Sequence, residues 1–342
     1  DGLPSDEAYH VMQDSRGYIW ISTDQGVARF DGQNFKSFSS RNGLPDDVIF
    51  QTFEDHVGRI WFSAFNCELS YLEGDEVHEF PFNEQLLDAL DGNPVCVNLK
   101  VDKNNNVWVG YDKAGILKID PKGNITRPAG QEPMVAQKFV DEANIIYGTV
   151  GRSISLGSKN NKMQKVSLDH PNWEKTTELY LSGVSNIIRM ACIEPDKICV
   201  TTGSKDFLIT DGLAMLEGNL MAPIISNDYI NGALWLGMAS GGVQEIFVEK
   251  DQLSYGRHLL NGISVSHMFC DRQGGVWAST LEKGVFYCAN PKIKAVTHNL
   301  EGAPLSLLEV VALPDSSGVY LNDRAWKVYN FSASGQLGKA IP

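Results

Sequence analysis

The chain alternates short apolar runs with small polar clusters and sustains a helical period nowhere for long. Near the N-terminus the apolar runs are Tyr9-His10-Val11-Met12-Gln13, Tyr18-Ile19-Trp20-Ile21-Ser22, Val27-Ala28-Arg29-Phe30 and Phe35-Lys36-Ser37-Phe38. They are separated by Asp14-Ser15-Arg16-Gly17, Thr23-Asp24-Gln25-Gly26 and Asp31-Gly32. Runs of β-forming residues punctuated by Asp- and Gly-bearing turns predict a four-stranded antiparallel meander. Helical spacing is weak and confined to the neighbourhood of Asn83 to Leu90.

The second strand of this unit belongs to a phrase that recurs: an Asp-led turn followed by an apolar strand carrying Trp. Copies run from Asp14 to Trp20, Asp55 to Trp61, Asp102 to Trp108 and Asp271 to Trp277, and Asn227-Asp228 through Gly232 to Trp235 keeps the same order. The Trp residues at 20, 61, 108, 235 and 277 leave one gap, from 108 to 235, that holds about three units at the 40 to 45 residues of a propeller blade. Diverged copies fill it, one from Val135 to Val150 and one from Ile187 to Thr202. An eighth, weaker unit follows, with Leu308-Glu309-Val310-Val311-Ala312-Leu313, Pro314-Asp315-Ser316-Ser317-Gly318-Val319-Tyr320 and Trp326-Lys327-Val328-Tyr329.

A four-stranded unit of this length cannot bury its own apolar face and must stack on its copies. The predicted fold is therefore all-β: a β-propeller of four-stranded antiparallel blades, seven-bladed, spanning 1–300, with 301–342 an eighth repeat-like unit that starts a second propeller or helps to close the ring. The recurring Trp fills the wedge between neighbouring sheets and is read as core rather than ligand-stacking.

Composition narrows the function classes. With 42 acidic and 29 basic residues the net charge is -13, and no basic stretch suits a nucleic-acid backbone. No apolar run is long enough to span a bilayer. The six cysteines form no Cys-x-x-Cys pair, and Cys192 and Cys199, flanking one turn symmetrically, read as small buried hydrophobes rather than a bridge. The sequence from Asp102 to Asn106 begins like a calcium loop, but Val107 stands where Gly belongs and Lys113 where a bidentate Glu is needed, so it reads as a polar turn. No nucleophile elbow, phosphate loop, dinucleotide fingerprint or zinc-protease motif occurs. The reading is of no catalytic residues, no metal and no cofactor. His10 and His267 fall on strands expected nearest the channel and read as hydrogen-bonded structural imidazoles.

The phrases Gly2-Leu3-Pro4-Ser5 and Gly43-Leu44-Pro45-Asp46-Asp47, the block from Asp14 to Trp20, Thr23-Asp24-Gln25-Gly26-Val27 and Phe30-Asp31-Gly32 together resemble the two-component regulator propeller. The likeness is strong over 1–80, recognisable over 95–120 and 224–290, and poor from 134 to 218. It implies the extracytoplasmic sensor region of a membrane-bound bacterial histidine kinase, hence a periplasmic location and homodimerisation in the full receptor. The membrane helix and kinase would lie outside this chain. The ligand implied is a small molecule or an oligosaccharide.

In a propeller the loops joining second to third strands, and each blade to the next, open on one face. Candidate ligand-binding residues there are Asp24 with Gln25, Phe65, Asn66, Tyr111, Asp112, Lys113, Lys205, Asp206, Met238, Ser240, Glu282 and Lys283, with Arg41 and Asn42 between blades. Two competing readings are a propeller enzyme, lyase or hydrolase, with its site at the channel mouth, and a protein-interaction scaffold.

Overall fold

The computed structural model describes residues 2–90, 92, 94–111, 115–127, 222–249, 252–291, 305–313, 318–324, 326–332 and 337–341, together with the backbone of strands between 134 and 219. Asp112 and Lys113 lie outside the described residues. The chain divides into two units, Asp1–Ala289 and Asn290–Pro342.

The first unit is mostly antiparallel sheet in chain order; the exception lies between 134 and 180, where Asn144–Thr149 pairs with Val166–Ser167 and Ser153–Lys159 with Lys175–Tyr180. Its opening sheet comprises Ala8–Gln13, Ile19–Thr23, Gly26–Phe30 and Phe35–Phe38, each strand paired with the next. The same order recurs in the sheets beginning at Ile49–Glu54, Cys96–Val101, Ile187–Glu194 and Ile224–Ile230, and over the three described strands of the sheet beginning at Val265–Cys270. The one described α-helix is Asn83–Asp88, where the weak periodicity fell. First strands neighbour one another in chain order: Ala8–Gln13, Ile49–Glu54, Cys96–Val101, Met134–Phe139, Ile187–Glu194, Ile224–Ile230 and Val265–Cys270. The last of them packs against the first, closing the cycle.

That closure repeats a hydrogen bond made between consecutive sheets. The amide of Gly26, at the start of a third strand, donates to the carbonyl of Asp47, just before the next sheet, and Gly242 does the same to Ile263. Gly284 in the last sheet donates to Asp6, so the N-terminal segment stands where a blade linker would. Gly26 has φ +102, and a Cβ there would lie 2.0 Å from the Phe38 carbonyl oxygen. Only glycine permits that approach. The seam is held further by Arg272, whose guanidinium donates to the Gln13 side chain and to the carbonyls of Asp14 and Ser15.

The Trp strands form the core, with Trp20, Trp61, Trp108 and Trp235 all buried. The preceding Asp does more than shape a turn. In the first copy one Asp14 carboxylate oxygen accepts the amides of Arg16 and Tyr18, and the other accepts the Trp20 indole N–H at 2.8 Å. Asp55, Asp102 and Asp271 clasp Trp61, Trp108 and Trp277 in the same way, at 2.9, 2.9 and 3.0 Å. The residue three after the Asp takes positive φ, as Gly17, Gly58 and Gly274 or as Asn105 at φ 59.

Trp235 breaks the pattern. Its strand follows the two-residue turn Asn231-Gly232, too short to carry an Asp beneath the indole, and the Trp235 Nε1 is buried with no acceptor. Cys192 pairs with Ile198 and Cys199 with Ala191, so the two cysteines are not cross-strand partners.

The second unit is one antiparallel sheet of Leu307–Ala312, Gly318–Asp323, Val328–Ser332 and Leu337–Ile341. Its clasp lies in the turn between its second and third strands. Asp323 accepts the amide of Lys327 and the hydroxyl of Tyr329, with Trp326 at φ 60 in the place of the glycine. Asp315 lies outside the described residues.

Candidate functional site

Each first strand begins with a β-bulge, visible as a register shift between Ala8 and His10, Ile49 and Gln51, Ile224 and Ser226, and Val265 and His267. A bulge leaves one residue outside the ladder and re-aims its side chain. In the first two sheets those residues are Tyr9 and Phe50, whose rings meet edge to face at 5.1 Å. Phe50 in turn meets Phe65 at 5.9 Å, again edge to face, and Phe65 is 55% exposed. Phe65 sits in the turn between the second and third strands of its sheet, where its amide donates to Val48; Asp24, in the matching turn, donates to Glu7. Bulge residue and turn thus lie at the same end of the sheets, and the three rings form a ladder from a half-buried tyrosine to an exposed phenylalanine.

Carboxylates border this ladder. The Tyr9 hydroxyl donates to Glu7 Oε1 at 2.7 Å. Burial first, then the hydrogen bond and charge of Glu7, then the charge of Asp24 push the Tyr9 hydroxyl well above the usual phenol range, so both acids act on that ring. Asp24 keeps one carboxylate oxygen buried without a donor. Beside Phe65, the Asn66 amide donates to Glu68 at 2.7 Å and to the Pro45 carbonyl.

Of the residues expected to bind ligand, the structure brings Asp24, Phe65 and Asn66 together here. Tyr111 is fully buried, with its hydroxyl donating to the Cys67 carbonyl and burial holding it well above the ordinary phenol value; it belongs to the core. Met238 is also core, as the last residue of its strand. Lys205 and Asp206 begin the strand Lys205–Thr210 rather than lying in the loop before it. Asn42 lies along an outer groove of ≈ 480 Å³ between outer strands of the first two sheets, with Lys36, Phe38, Asp75, Glu76 and His78, and its side chain accepts from the Ser39 amide. Arg41 is exposed on the same short 3-10 turn, Ser40–Asn42. Ser240 and Glu282 belong to a separate junction, where the Ser240 amide donates to the Ser264 hydroxyl and Glu282 accepts the Ser264 amide. Lys283 is exposed, its amide donating to Thr280.

Tyr9, Phe50, Glu7 and Glu68 escaped the sequence reading. A bulge inserts a residue into the two-residue period of a strand, and nothing in that period announces it.

A second polar feature lies on the first strands themselves. The rings of His10 and His267 meet at 4.1 Å with a tilt of 33° across the closing seam. Burial, then the neighbouring His267, hold His10 well below the ordinary imidazole range, while Asp228 pulls the other way. Among the described residues no group of His, Cys, Asp and Glu side chains has the arrangement of a metal site.

Comparison with known proteins agrees with this architecture. Residues 2–25 match the sequence model of the two-component regulator propeller. The sequence has no match among curated proteins. Among solved structures, the extracellular domain of the putative hybrid two-component system BT3049 from B. thetaiotaomicron superposes with TM-score 0.65 at 16% identity, over 98% of this chain and 51% of that one. The extracellular domain of BT4673, described as a putative one-component system of the same organism, gives 0.62 at 14%, over 99% and 46%. Virginiamycin B lyase from Staphylococcus aureus gives 0.58 at 12%, over 82% and 94%. This chain therefore spans about half the length of the first two. At such identities the likeness speaks for the fold. The chain is an all-β propeller protein that carries the two-component regulator propeller repeat at its N-terminus.

Proposed function

We propose that this chain is a non-catalytic sensor domain whose first unit is a seven-bladed propeller that takes a saccharide ligand on the Tyr9–Phe50–Phe65 face. The observation that carries the reading is an aromatic ladder ending in the exposed Phe65, bordered by hydrogen-bonding carboxylates and an amide and held by bulged strands. Such a surface offers a sugar ring an apolar platform and hydroxyl acceptors beside it. The regulator-propeller repeat supports the sensor role, with the domain outside the cytoplasm, dimeric in the full receptor, and coupled to a kinase elsewhere in that protein. The second unit would begin a further propeller. Signalling then requires that ligand favour one arrangement of two receptor copies over another.

Thermal-shift screening of purified protein against an oligosaccharide panel tests this. A stabilisation that Phe65→Ala removes is expected, with no turnover of any member of the panel. A robust lyase or hydrolase rate would instead support the enzyme reading, with its site at the channel mouth.

A further inference from the structure

The charge around the aromatic ladder limits what kind of saccharide it takes, an inference that rests on the reading above. Three acids border the rings, Glu7, Asp24 and Glu68, and their described partners are neutral: Glu7 accepts from Tyr9 and Glu68 from Asn66. None of the three forms an ion pair with a cation among the described residues; the ion pairs there join Arg29 and Lys36 to Asp75, Arg59 to Asp55, and Arg257 to Glu245. Asp24 goes further, with one carboxylate oxygen sealed from water and lacking a donor. An uncompensated carboxylate beside low-dielectric aromatic surface projects its field more strongly than one in water. The rings reinforce it, because the faces of Phe50, Phe65 and Tyr9 are themselves negative and attract cations. The chain as a whole carries -13, which opposes the approach of polyanions.

We propose that the ligand of this face is a saccharide bearing free amino groups, its apolar ring face lying on Phe65 and Phe50 and its ammonium in the field of Asp24 and Glu7. Aromatic contact supplies the platform, and the acids select by charge against uronic or sulfated sugars.

Calorimetric titration with three tetrasaccharides separates the terms: a fully deacetylated glucosamine tetramer, its N-acetylated counterpart, and a galacturonic acid tetramer, at about pH 6, where the amines are charged. The glucosamine tetramer should bind at least tenfold more tightly than the acetylated one, and the uronate should not bind. Asp24→Asn should bring the first two within about threefold of each other, and Glu7→Gln should narrow the gap in the same direction, each variant keeping the wild-type melting temperature. Phe65→Ala should weaken the glucosamine tetramer at least tenfold. If the acetylated or uronate tetramer binds as well as the amine in a Phe65-dependent manner, the charge assignment is wrong while the saccharide site stands. If none of the three binds, both readings fall. Tighter binding of a tetralysine peptide than of the glucosamine tetramer would also overturn the saccharide assignment.

Discussion

Trp108 and Trp235 occupy the same place in their sheets but differ in one hydrogen bond, and that difference has a measurable size. Trp108 is fully buried and its indole N–H donates to Asp102, which also accepts the amides of Asn104 and Asn106 and the Asn106 side chain. Trp235 is 4% exposed, and its indole nitrogen has no acceptor. Trp→Phe shrinks the core at both sites, at a cost of roughly 1 to 2 kcal/mol for the smaller ring. At 108 it also removes a hydrogen bond to a charged acceptor, about 1.5 to 3 kcal/mol. At 235 it removes a buried donor that is unsatisfied in the native state, relieving about 1 to 2 kcal/mol. Trp108→Phe should therefore cost about 3 to 4 kcal/mol and Trp235→Phe about 1 or less.

Asp102→Ala probes the other half of the same clasp. It strands four donors at once, one of them the buried indole, and about 4 kcal/mol is expected, since such losses are not additive. Urea unfolding followed by circular dichroism reads all three variants without relying on the fluorophore being removed. Equal costs at 108 and 235 would refute the idea that the Asp clasp, rather than indole volume alone, is what the repeat preserves.

The clasp also makes stability depend on pH. Burial alone would raise the Asp55 and Asp102 carboxyls, but hydrogen bonds from the Trp indole, from Arg59 or Asn106, and from turn amides outweigh it and hold both below the usual range. Carboxyls lowered on folding stabilise the protein above about pH 4 and lose that contribution as pH falls further; melting temperature should drop between about pH 5 and 3, less steeply in Asp102→Asn. His10 is lowered too, but as a base its sign is opposite: the unfolded chain takes up the proton first, so stability falls as pH drops below about 6.5, and an NMR titration should show no His10 protonation near that value in the folded state. Gly26→Ala should cost more than about 2 kcal/mol, because the new Cβ meets the Phe38 carbonyl, whereas Gly32→Ala, at φ +100 in open space, should cost about 1; similar melting temperatures for the two would contradict the inter-sheet role of Gly26. Tyr111→Phe should leave saccharide binding intact while costing about 1 kcal/mol through the lost bond to Cys67, as thermal shift with and without ligand would show.

Much of the fold was legible because the repeat writes its own turns. The four strands of the opening sheet fell within a residue or so of their sequence positions, since its turns place Gly17, Gly26 and Gly32 where φ is positive. The clasp of the last unit is harder to read, because Asp323 is followed by Trp326, a residue that propensity would never place at φ 60. The pairing within the cysteine hairpin was not legible, since symmetric flanking of a turn does not specify which residues pair when a ladder shifts near its end.

The site was less legible than the fold because it depends on departures from periodicity. Strand alternation predicts that Tyr9 and Phe50 lie in the ladder on the face opposite their neighbours, yet each is the one residue the ladder leaves out. Tyr111 and Met238 failed in the opposite direction: both end a strand beside a loop, and both are claimed by the core, Tyr111 by packing on Trp61, Cys67 and Leu69 of the preceding sheet. What separates Phe65 from Tyr111 is therefore not composition but one step along the chain. Phe65 follows its strand's last residue, Ala64, and stands in the turn, whereas Tyr111 is itself the last residue of its strand. Moving an aromatic by that single step, as in a paired Ala64→Phe and Phe65→Ala exchange, should bury the ring, strain the packing of Leu44 and Ile49 around Ala64, and abolish binding at the face while leaving the composition of the chain unchanged.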